Sequence, residues 1–552
     1  MTPDSADDTD DGIDPVTLEV LRNQLESVAE EMGQTLIRGA YSPNIKERRD
    51  CSTALFDAEG RMIAQAEHIP VHLGAMPAAV DAVREHDPRP GDVFVLNDPF
   101  SGGTHLPDVT MVSPIAPGRD GSTGAGDKGE IVGYAVSRAH HADVGGMTPG
   151  SMPAGAEEIY QEGLRLPPIR LVEGGELRDD VRSLVLANVR NPRERQADLR
   201  AQQAANERAE ARLASLFDEH GRETVLEGFD AVIDYSRERI AAEIAALPDG
   251  TYEAAGVLEG DGVTDEDIEI AVTVTVDGET IDVDFSGTAG QVAGNLNAPL
   301  AVATSAVYFV VRCITDPEIP PNHGCYEPVT VSAPDGSLLN PNPPAAVVGG
   351  NVETSQRVTD VVFTALAGAA PDRVPAQGQG TMNNLTIGAR DGSFAYYETI
   401  GGGFGARADR DGMDGVQVGM TNTLNTPVES LETEYPLRVE RYALREGSGG
   451  RGRFRGGLGL ERSVTVETDA TVSLLTERRR HAPKGIAGGE DGATGENLID
   501  GEPVPAKTTV DVAAGTTVTV KTPGGGGHGD PKEREEAALE ADRIAEKSSE
   551  DD

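Results

Sequence analysis

The sequences VFVLNDPFSGGTHLPD, residues 93–108, and IVGYAVSRAHHADVGG, residues 131–146, decide how the chain is expected to fold. Each begins with a short apolar run, Val93–Leu96 in the first and residues 131–136 in the second. β-Branched and aromatic residues bounded by turn formers predict a strand for each run. Each run leads into a cluster of histidine and aspartate side chains, which are residue types that bind divalent metals.

A set of two imidazoles and one carboxylate can be drawn from these clusters. His105 and Asp108 lie three residues apart on a loop stiffened by Pro107. His140, on a second loop, completes the set. Three protein ligands leave coordination positions open for water or substrate, as catalytic sites require. The alternative is that these polar residues only cap strand ends.

Histidines are concentrated in the first third of the chain, which favours the metal site over the alternative. Six of the ten histidines lie there, namely His68, His72, His86, His105, His140 and His141. Imidazole is the commonest metal-binding side chain. We therefore predict a metal site that joins the two loops.

Composition limits the class of protein. A chain of 552 residues with 38% hydrophobic content is long enough for two to four domains. No apolar run reaches the roughly 18 residues of a membrane span. The N-terminus lacks the basic and apolar segments of a secretory signal, and only three cysteines occur. We therefore expect a cytoplasmic protein without a membrane partner.

The formal net charge of −46 argues against polyanionic partners. Nucleic acids and anionic membranes would be repelled by so acidic a chain. The acidic residues are spread along the sequence, arginine greatly outnumbers lysine, and tryptophan is absent. This balance is typical of proteins that remain soluble in concentrated salt, so we expect a halophilic cytoplasm.

Periodicity predicts an α+β chain with a mixed N-terminal region that carries the metal site, a helical middle and a β-rich C-terminal third. Asp14 and Pro15 form an N-cap and first-turn pair that opens a helix. The chain divides into a disordered acidic tail (1–13), an α+β region with the candidate metal site (14–176), a helical segment (177–247), a mixed α+β region (248–380), a β-rich region (381–531) and a charged tail (532–552).

Several motifs together resemble the hydantoinase B/oxoprolinase family. The resemblance covers nearly all of residues 14–531 in order. The matching motifs are DPVTLEV (14–20), NDP through Asp108 (97–108), SRAHHADVGG (137–146), GNVETSQR (350–357), MTNT (420–423), YPLRVE (435–440) and TPGGGG (522–527). This ordered set is far more specific than any single glycine-rich loop.

The resemblance implies a B-type subunit of an ATP-dependent cyclic-amide hydrolase, similar to N-methylhydantoinase and oxoprolinase. The metal ligands of the related acetone and acetophenone carboxylases fall on His105, Asp108 and His140. The segment 116–130, which we expect to be an exposed loop, lengthens the gap between Asp108 and His140 beyond the family norm. If it displaced the second strand, His141 or Asp143 would replace His140 as the ligand.

The resemblance also implies a hetero-oligomer, in which a larger A-type subunit holds ATP. The chain itself contains no G-x-x-x-x-G-K-[ST] phosphate loop. We expect a divalent Mn, Zn or Fe ion here and a small cyclic amide such as a hydantoin or 5-oxoproline as substrate. Two alternatives stay open, a subunit of an ATP-dependent ketone carboxylase and a non-catalytic scaffold.

Four further residues are assigned roles around this metal. Asp98, His141 and Asp143 are expected to orient the imidazole ligands, as residues behind a metal ligand commonly do. Arg138 is expected to hold a substrate carboxylate or phosphate, with a structural salt bridge as the alternative.

Overall fold

The first sheet carries both halves of the stretch 93–146. In the computed structural model, which describes residues 13–118 and 129–548, seven antiparallel strands form this sheet in the order β2-β1-β5-β4-β3-β6-β7. Its strands are β1 (Cys51–Asp57), β2 (Met62–Glu67), β3 (Val93–Leu96), β4 (Asp108–Ile115), β5 (Gly133–His140), β6 (Ile169–Glu173) and β7 (Glu176–Leu177).

Three smaller sheets follow in the chain. They have the orders β11-β10-β9-β8, β13-β12-β16-β19 and β14-β15-β20-β17-β18. Their strands are β8 (Gly250–Glu259), β9 (Asp267–Asp277), β10 (Thr280–Asp284), β11 (Val329–Ser332), β12 (Asn384–Ala389), β13 (Ala395–Glu398), β14 (Leu437–Leu444), β15 (Leu460–Val466), β16 (Ala470–Leu475), β17 (Glu496–Ile499), β18 (Glu502–Pro503), β19 (Lys507–Val512) and β20 (Thr517–Lys521).

Helices cover these sheets, and the predicted α+β class is confirmed. The helices are α1 (Pro15–Gly39), α2 (Pro43–Lys46), α3 (Ala75–Arg84), α4 (Ile159–Glu162), α5 (Asp179–Ala187), α6 (Pro192–His220), α7 (Arg222–Ala245), α8 (Leu300–Ile314), α9 (His323–Tyr326), α10 (Ser355–Leu366), α11 (Val428–Glu434) and α12 (Glu536–Ile544). None of the described helices has both the length and the apolar character that a membrane crossing needs.

Helix α1 begins where its cap was predicted. The Asp14 carboxylate accepts hydrogen bonds from the backbone N–H groups of Val16 and Thr17, at 3.0 and 3.2 Å, and Pro15 occupies the first turn. The apolar face of α1 packs with α6 on one face of the first sheet. This face of the sheet is apolar, with Cys51 and Ala139 among its buried residues.

The opposite face of the first sheet belongs to the largest apolar core. Ala54, Val112 and Val136 of the sheet pack there with α3, α8, α10 and the second sheet. This core therefore runs across the predicted boundaries at 176/177 and 247/248. The division of the chain into six regions stays a prediction.

The two predicted tails differ in outcome. Residues 1–12 of the predicted acidic tail and residues 549–552 lie outside the described residues. Residues 532–548 of the predicted charged tail contain α12, a mostly exposed helix that ion pairs hold against the C-terminal region. Arg534 bridges Asp411 and the buried Asp542, with N···O distances of 2.8 and 2.6 Å. Charge pairing supplies contacts that apolar periodicity does not reveal.

Glu162 at the end of α4 gives the fold a pH-dependent contact. Its Oε1 accepts hydrogen bonds from the N–H groups of Val347 and Val348, both at 2.9 Å, and its Oε2 is buried without a partner. Burial raises the pKa of Glu162 to about 8, and the two backbone hydrogen bonds oppose this rise only in part. Glu162 therefore stays protonated at neutral pH in the folded chain.

Replacing Glu162 by glutamine is expected to stabilise the protein at alkaline pH. In the unfolded chain Glu162 loses its proton near pH 4.5, whereas the folded chain keeps it up to about pH 8. The wild type therefore loses stability as pH rises between these values, and between pH 5 and pH 9 the stability of the variant relative to the wild type should increase by about 4 kcal/mol. Urea unfolding at pH 5 and pH 9 measures this. An equal difference at both pH values would contradict it.

Candidate metal centre

Strand pairing brings the predicted ligands together. Asp108, the first residue of β4, lies directly opposite His140, the last residue of β5, so both side chains project from the same face of the sheet. Both residues therefore belong to strands and not to the loops expected from the sequence. His105, in the turn before β4, completes the cluster. One possible ligand atom from each residue lies within 4.8 Å of the others.

The segment 116–130 does not displace His140. Strands β4 and β5 stay paired without a register shift from Asp108/His140 to Ile115/Gly133. Residues 119–128 of this segment, expected to be an exposed loop, lie outside the described residues. The extra length is therefore accommodated at the end of the hairpin opposite the cluster.

The cluster is a buried group of nitrogen and oxygen atoms. His105, Asp108 and His140 are 1%, 1% and 3% exposed. Asp108 Oδ2 lies 3.2 Å from His105 Nδ1, and Asp108 Oδ1 lies 3.2 Å from His140 Nδ1. The Nε2 atoms of both histidines are buried and have no partner within the described chain. Buried polar atoms without partners are costly, and a bound cation would satisfy them.

The electrostatics of the cluster suit a cation. Burial acts to raise the pKa of Asp108, but the charge and hydrogen bond of His105, with hydrogen bonds from His140 and His72, hold it well below its usual value. Burial lowers the pKa of His105, against the opposing effect of Asp108. An ionised carboxylate beside a neutral imidazole is the protonation state that metal binding requires. The residues present therefore fit a divalent metal.

Two neighbours of the cluster were missed from the sequence. His72 Nε2 lies 3.3 Å from Asp108 Oδ2, and His72 Nδ1 lies 2.9 Å from Ser52 Oγ. His72 was noted only as one of the clustered histidines. Its position beside Asp108 is seen only in the structure, because it depends on the packing of the turn before α3 against β1 and β4.

Asp50 is the second missed neighbour. It precedes β1, and its carbonyl accepts a hydrogen bond from the backbone N–H of His140 at 3.0 Å. Asp50 therefore lies beside His140 on the side of β5 opposite to Asp108, at the start of β1. Its charge acts on His105 and Tyr397, and the side chain is only 7% exposed. The Asp50 carboxylate makes no hydrogen bond or ion pair within residues 13–118 and 129–548. Only the pairing of β1 with β5 reveals it.

Arg138 lies two residues before His140 on β5, so its side chain is on the same face of the sheet as the cluster. Its Nε donates to Thr110 Oγ1 at 2.7 Å, and its Nη2 donates to the Ala75 carbonyl at 3.3 Å. Nη1 is buried without a partner, and Arg138 forms no ion pair with the described acidic residues. Burial lowers its pKa to about 10. Both roles expected of Arg138, a substrate contact and a structural salt bridge, stay predictions.

The other three predicted residues make their hydrogen bonds elsewhere. Asp98 pairs with Arg165 at 3.1 Å, and Asp143 pairs with Arg190 at 3.0 Å. His141 Nε2 lies 2.9 Å from the Gln202 side-chain oxygen, on the face of the sheet covered by α6.

None of these three residues hydrogen bonds to the cluster within the described chain. They shape the loops around it, and a direct part in orienting the imidazoles stays a prediction. A cavity of about 970 Å³ is lined by residues of α10 and of the glycine-rich segments, and none of the three candidate ligands lines it.

The fold and this cluster agree with a family of known enzymes. The sequence profile of the Hydantoinase B/oxoprolinase family matches residues 14–531. The chain belongs to this family.

Individual relatives point in the same direction. The chain is 39% identical to 5-oxoprolinase 1 of Arabidopsis thaliana over 94% of its own length, but spans only 42% of that protein. It is 34% identical to a Pseudomonas sp. (strain NS671) protein named as the B-type component of a D-/L-hydantoinase, covering 96% of this chain and 93% of that one.

A solved structure has the same fold. The crystal structure of ATP-dependent caprolactamase from Pseudomonas jessenii superposes with a TM-score of 0.89 at 31% identity, covering 98% of this chain and 95% of that one.

Proposed function

We propose that this chain is the B-type component of an ATP-dependent cyclic-amide hydrolase that opens the ring of a hydantoin or of 5-oxoproline. The observation that carries the proposal is the buried cluster of His105, Asp108 and His140, whose unpartnered nitrogens suit a metal. The names of the relatives support the substrate class, since 5-oxoproline and caprolactam are both cyclic amides.

The partner in this proposal is an A-type subunit that binds ATP. An unactivated ring amide is a poor electrophile, and phosphoryl transfer to its oxygen makes a better one. The chain has no phosphate loop of its own, and it spans 42% of the length of 5-oxoprolinase 1. The remaining length of such relatives is sufficient for an ATP-binding part. We place this hetero-oligomer in a reducing cytoplasm, consistent with a sequence that contains only three cysteines.

His105, Asp108 and His140 would hold a divalent Mn, Zn or Fe ion. Such an ion supplies Lewis-acid polarisation and a lowered pKa for water. The carboxylate of Asp50 is proposed to accept the proton that water gives up as it attacks the activated ring carbon. The burial of the cluster limits bulk water and so strengthens the electrostatic interactions of its charged groups. Arg138 is proposed to hold an anionic group of the substrate.

The test is a substrate panel with the assembled complex. The chain is co-purified with an A-type partner and incubated with ATP and hydantoin, 5-oxoproline or caprolactam. Phosphate release is measured together with the ring-opened product. We expect both to require ATP and a cyclic amide, and metal to be present at near one equivalent per chain.

Each alternative function predicts a different result. Turnover only with a ketone and bicarbonate would make the chain a carboxylase subunit. Ring opening by a complex whose B-type chain holds no metal would leave it a scaffold.

A further inference from the structure

Tyr397 of β13 lies against the candidate ligand His140. The two ring centroids are 4.6 Å apart, and the ring planes differ by 15°, which is a stacked arrangement. Tyr397 is buried and comes from the β-rich region, more than 250 positions along the chain from His140. One wall of the candidate metal centre is therefore built by the C-terminal part of the chain.

Hydrogen bonds fix Tyr397 at both ends. Its hydroxyl donates to Asn384 Oδ1 at 2.9 Å, and the Asn384 amide donates to Glu353 Oε1 at 2.8 Å. At the other end, Arg48 donates to the Tyr397 carbonyl at 2.6 Å. Arg48 lies two residues before Asp50, so this contact joins the Asp50 loop to β13. The ring cannot rotate or withdraw without breaking a buried hydrogen bond.

His140 lacks the usual support of a metal-binding histidine. Such histidines generally donate their second ring N–H to a carboxylate, carbonyl or water, and this fixes the ring. His140 Nδ1 faces Asp108, which is itself a candidate ligand, and His140 Nε2 has no partner in the described part of the chain. Two ring contacts constrain its orientation, the tilted His105 ring at 5.1 Å and the stacked Tyr397 ring, and of these two residues Tyr397 is the one that is not a candidate ligand.

We propose that Tyr397 is a positioning residue of the metal centre, whose ring sets the plane of the His140 imidazole. The inference rests on the proposed function, since it takes His140 to be a metal ligand. The aromatic ring is the acting part of Tyr397, because its hydroxyl is engaged by Asn384.

Cobalt binding by the full chain tests this positioning role. Co²⁺ is titrated into metal-free protein, and both affinity and the visible absorption spectrum are recorded. Tyr397→Leu and Tyr397→Met, which remove the planar ring, are expected to bind Co²⁺ about 10–100-fold more weakly, with an altered spectrum. Tyr397→Phe, which keeps the ring, should retain the wild-type spectrum. Methionine fills most of the space and so provides a variant that spares the fold.

The neighbouring tyrosine is a matched control. Tyr396 is also buried in β13, but it faces the opposite side of the sheet, where its hydroxyl donates to Glu398 at 3.0 Å and its ring contacts Tyr435. Tyr396→Leu removes the same ring from the adjacent position. It is expected to reduce stability while leaving the cobalt spectrum unchanged.

The outcomes separate this inference from the proposed function. If wild-type protein does not bind Co²⁺, the metal site itself is wrong. If the wild type binds Co²⁺ and the folded Tyr397→Leu or Tyr397→Met chain binds it equally well with the same spectrum, only the positioning role is overturned. A spectral change shared by Tyr396→Leu would also overturn it, since general loosening would then explain both.

Discussion

Replacement of His105 by alanine is expected to abolish metal binding and to lower ATP-coupled ring opening by at least about 10³-fold. The variant keeps only Asp108 and His140, and two ligands hold a divalent ion far less tightly than three. The fold should persist, because His105 lies in a turn and its side chain contributes no strand pairing. Metal content and product formation are measured on the assembled complex.

The exposed His86 provides the control for this substitution. It lies in the same third of the chain, outside the cluster, and contacts the ring of Phe94. His86→Ala should keep both metal and activity. Full activity in the His105→Ala complex would remove this cluster from the mechanism, whatever the metal content.

Replacement of Asp50 by asparagine is expected to reduce kcat by about 10²–10⁴-fold, the usual cost of losing a general base. Asparagine has nearly the same shape as aspartate but cannot accept the proton from the attacking water. Because the close cluster consists of His105, Asp108 and His140, the variant should retain its metal. Loss of metal from Asp50→Asn would instead make Asp50 a fourth ligand.

Asp57 at the other end of β1 is the matched control for Asp50. Its carboxylate pairs with Arg61 at 2.6 Å in the β1–β2 hairpin, remote from the cluster along the strand. Asp57→Asn should lower stability without changing kcat. Unchanged kcat in Asp50→Asn would end its assignment as proton acceptor.

The ligand cluster could be predicted from sequence because its signals are local. His105 and Asp108 share one turn, and His140 follows a recognisable strand. The family resemblance placed the metal on the same three residues. The helix that starts at Pro15 was equally accessible, because Asp14 caps it through its own neighbours.

The surroundings of the cluster depend on contacts between distant segments. Asp50 reaches the centre through the pairing of β1 with β5, and Tyr397 reaches it from β13. No local pattern marks either residue as different from other polar or aromatic residues in strands. The docking of α12 was missed for the same reason, since the ion pairs of Arg534 join residues more than 100 positions apart.

The β4–β5 hairpin carries the candidate metal ligands at one end and the connection between its two strands at the other. A ladder of eight residue pairs runs from Asp108/His140 to Ile115/Gly133, a span of roughly 23 Å at the usual rise per strand residue. Evolution can therefore lengthen that connection without moving a ligand. An engineer could use the same place to insert a fluorophore or an affinity handle, with the ladder between the two ends keeping the addition away from the candidate metal centre.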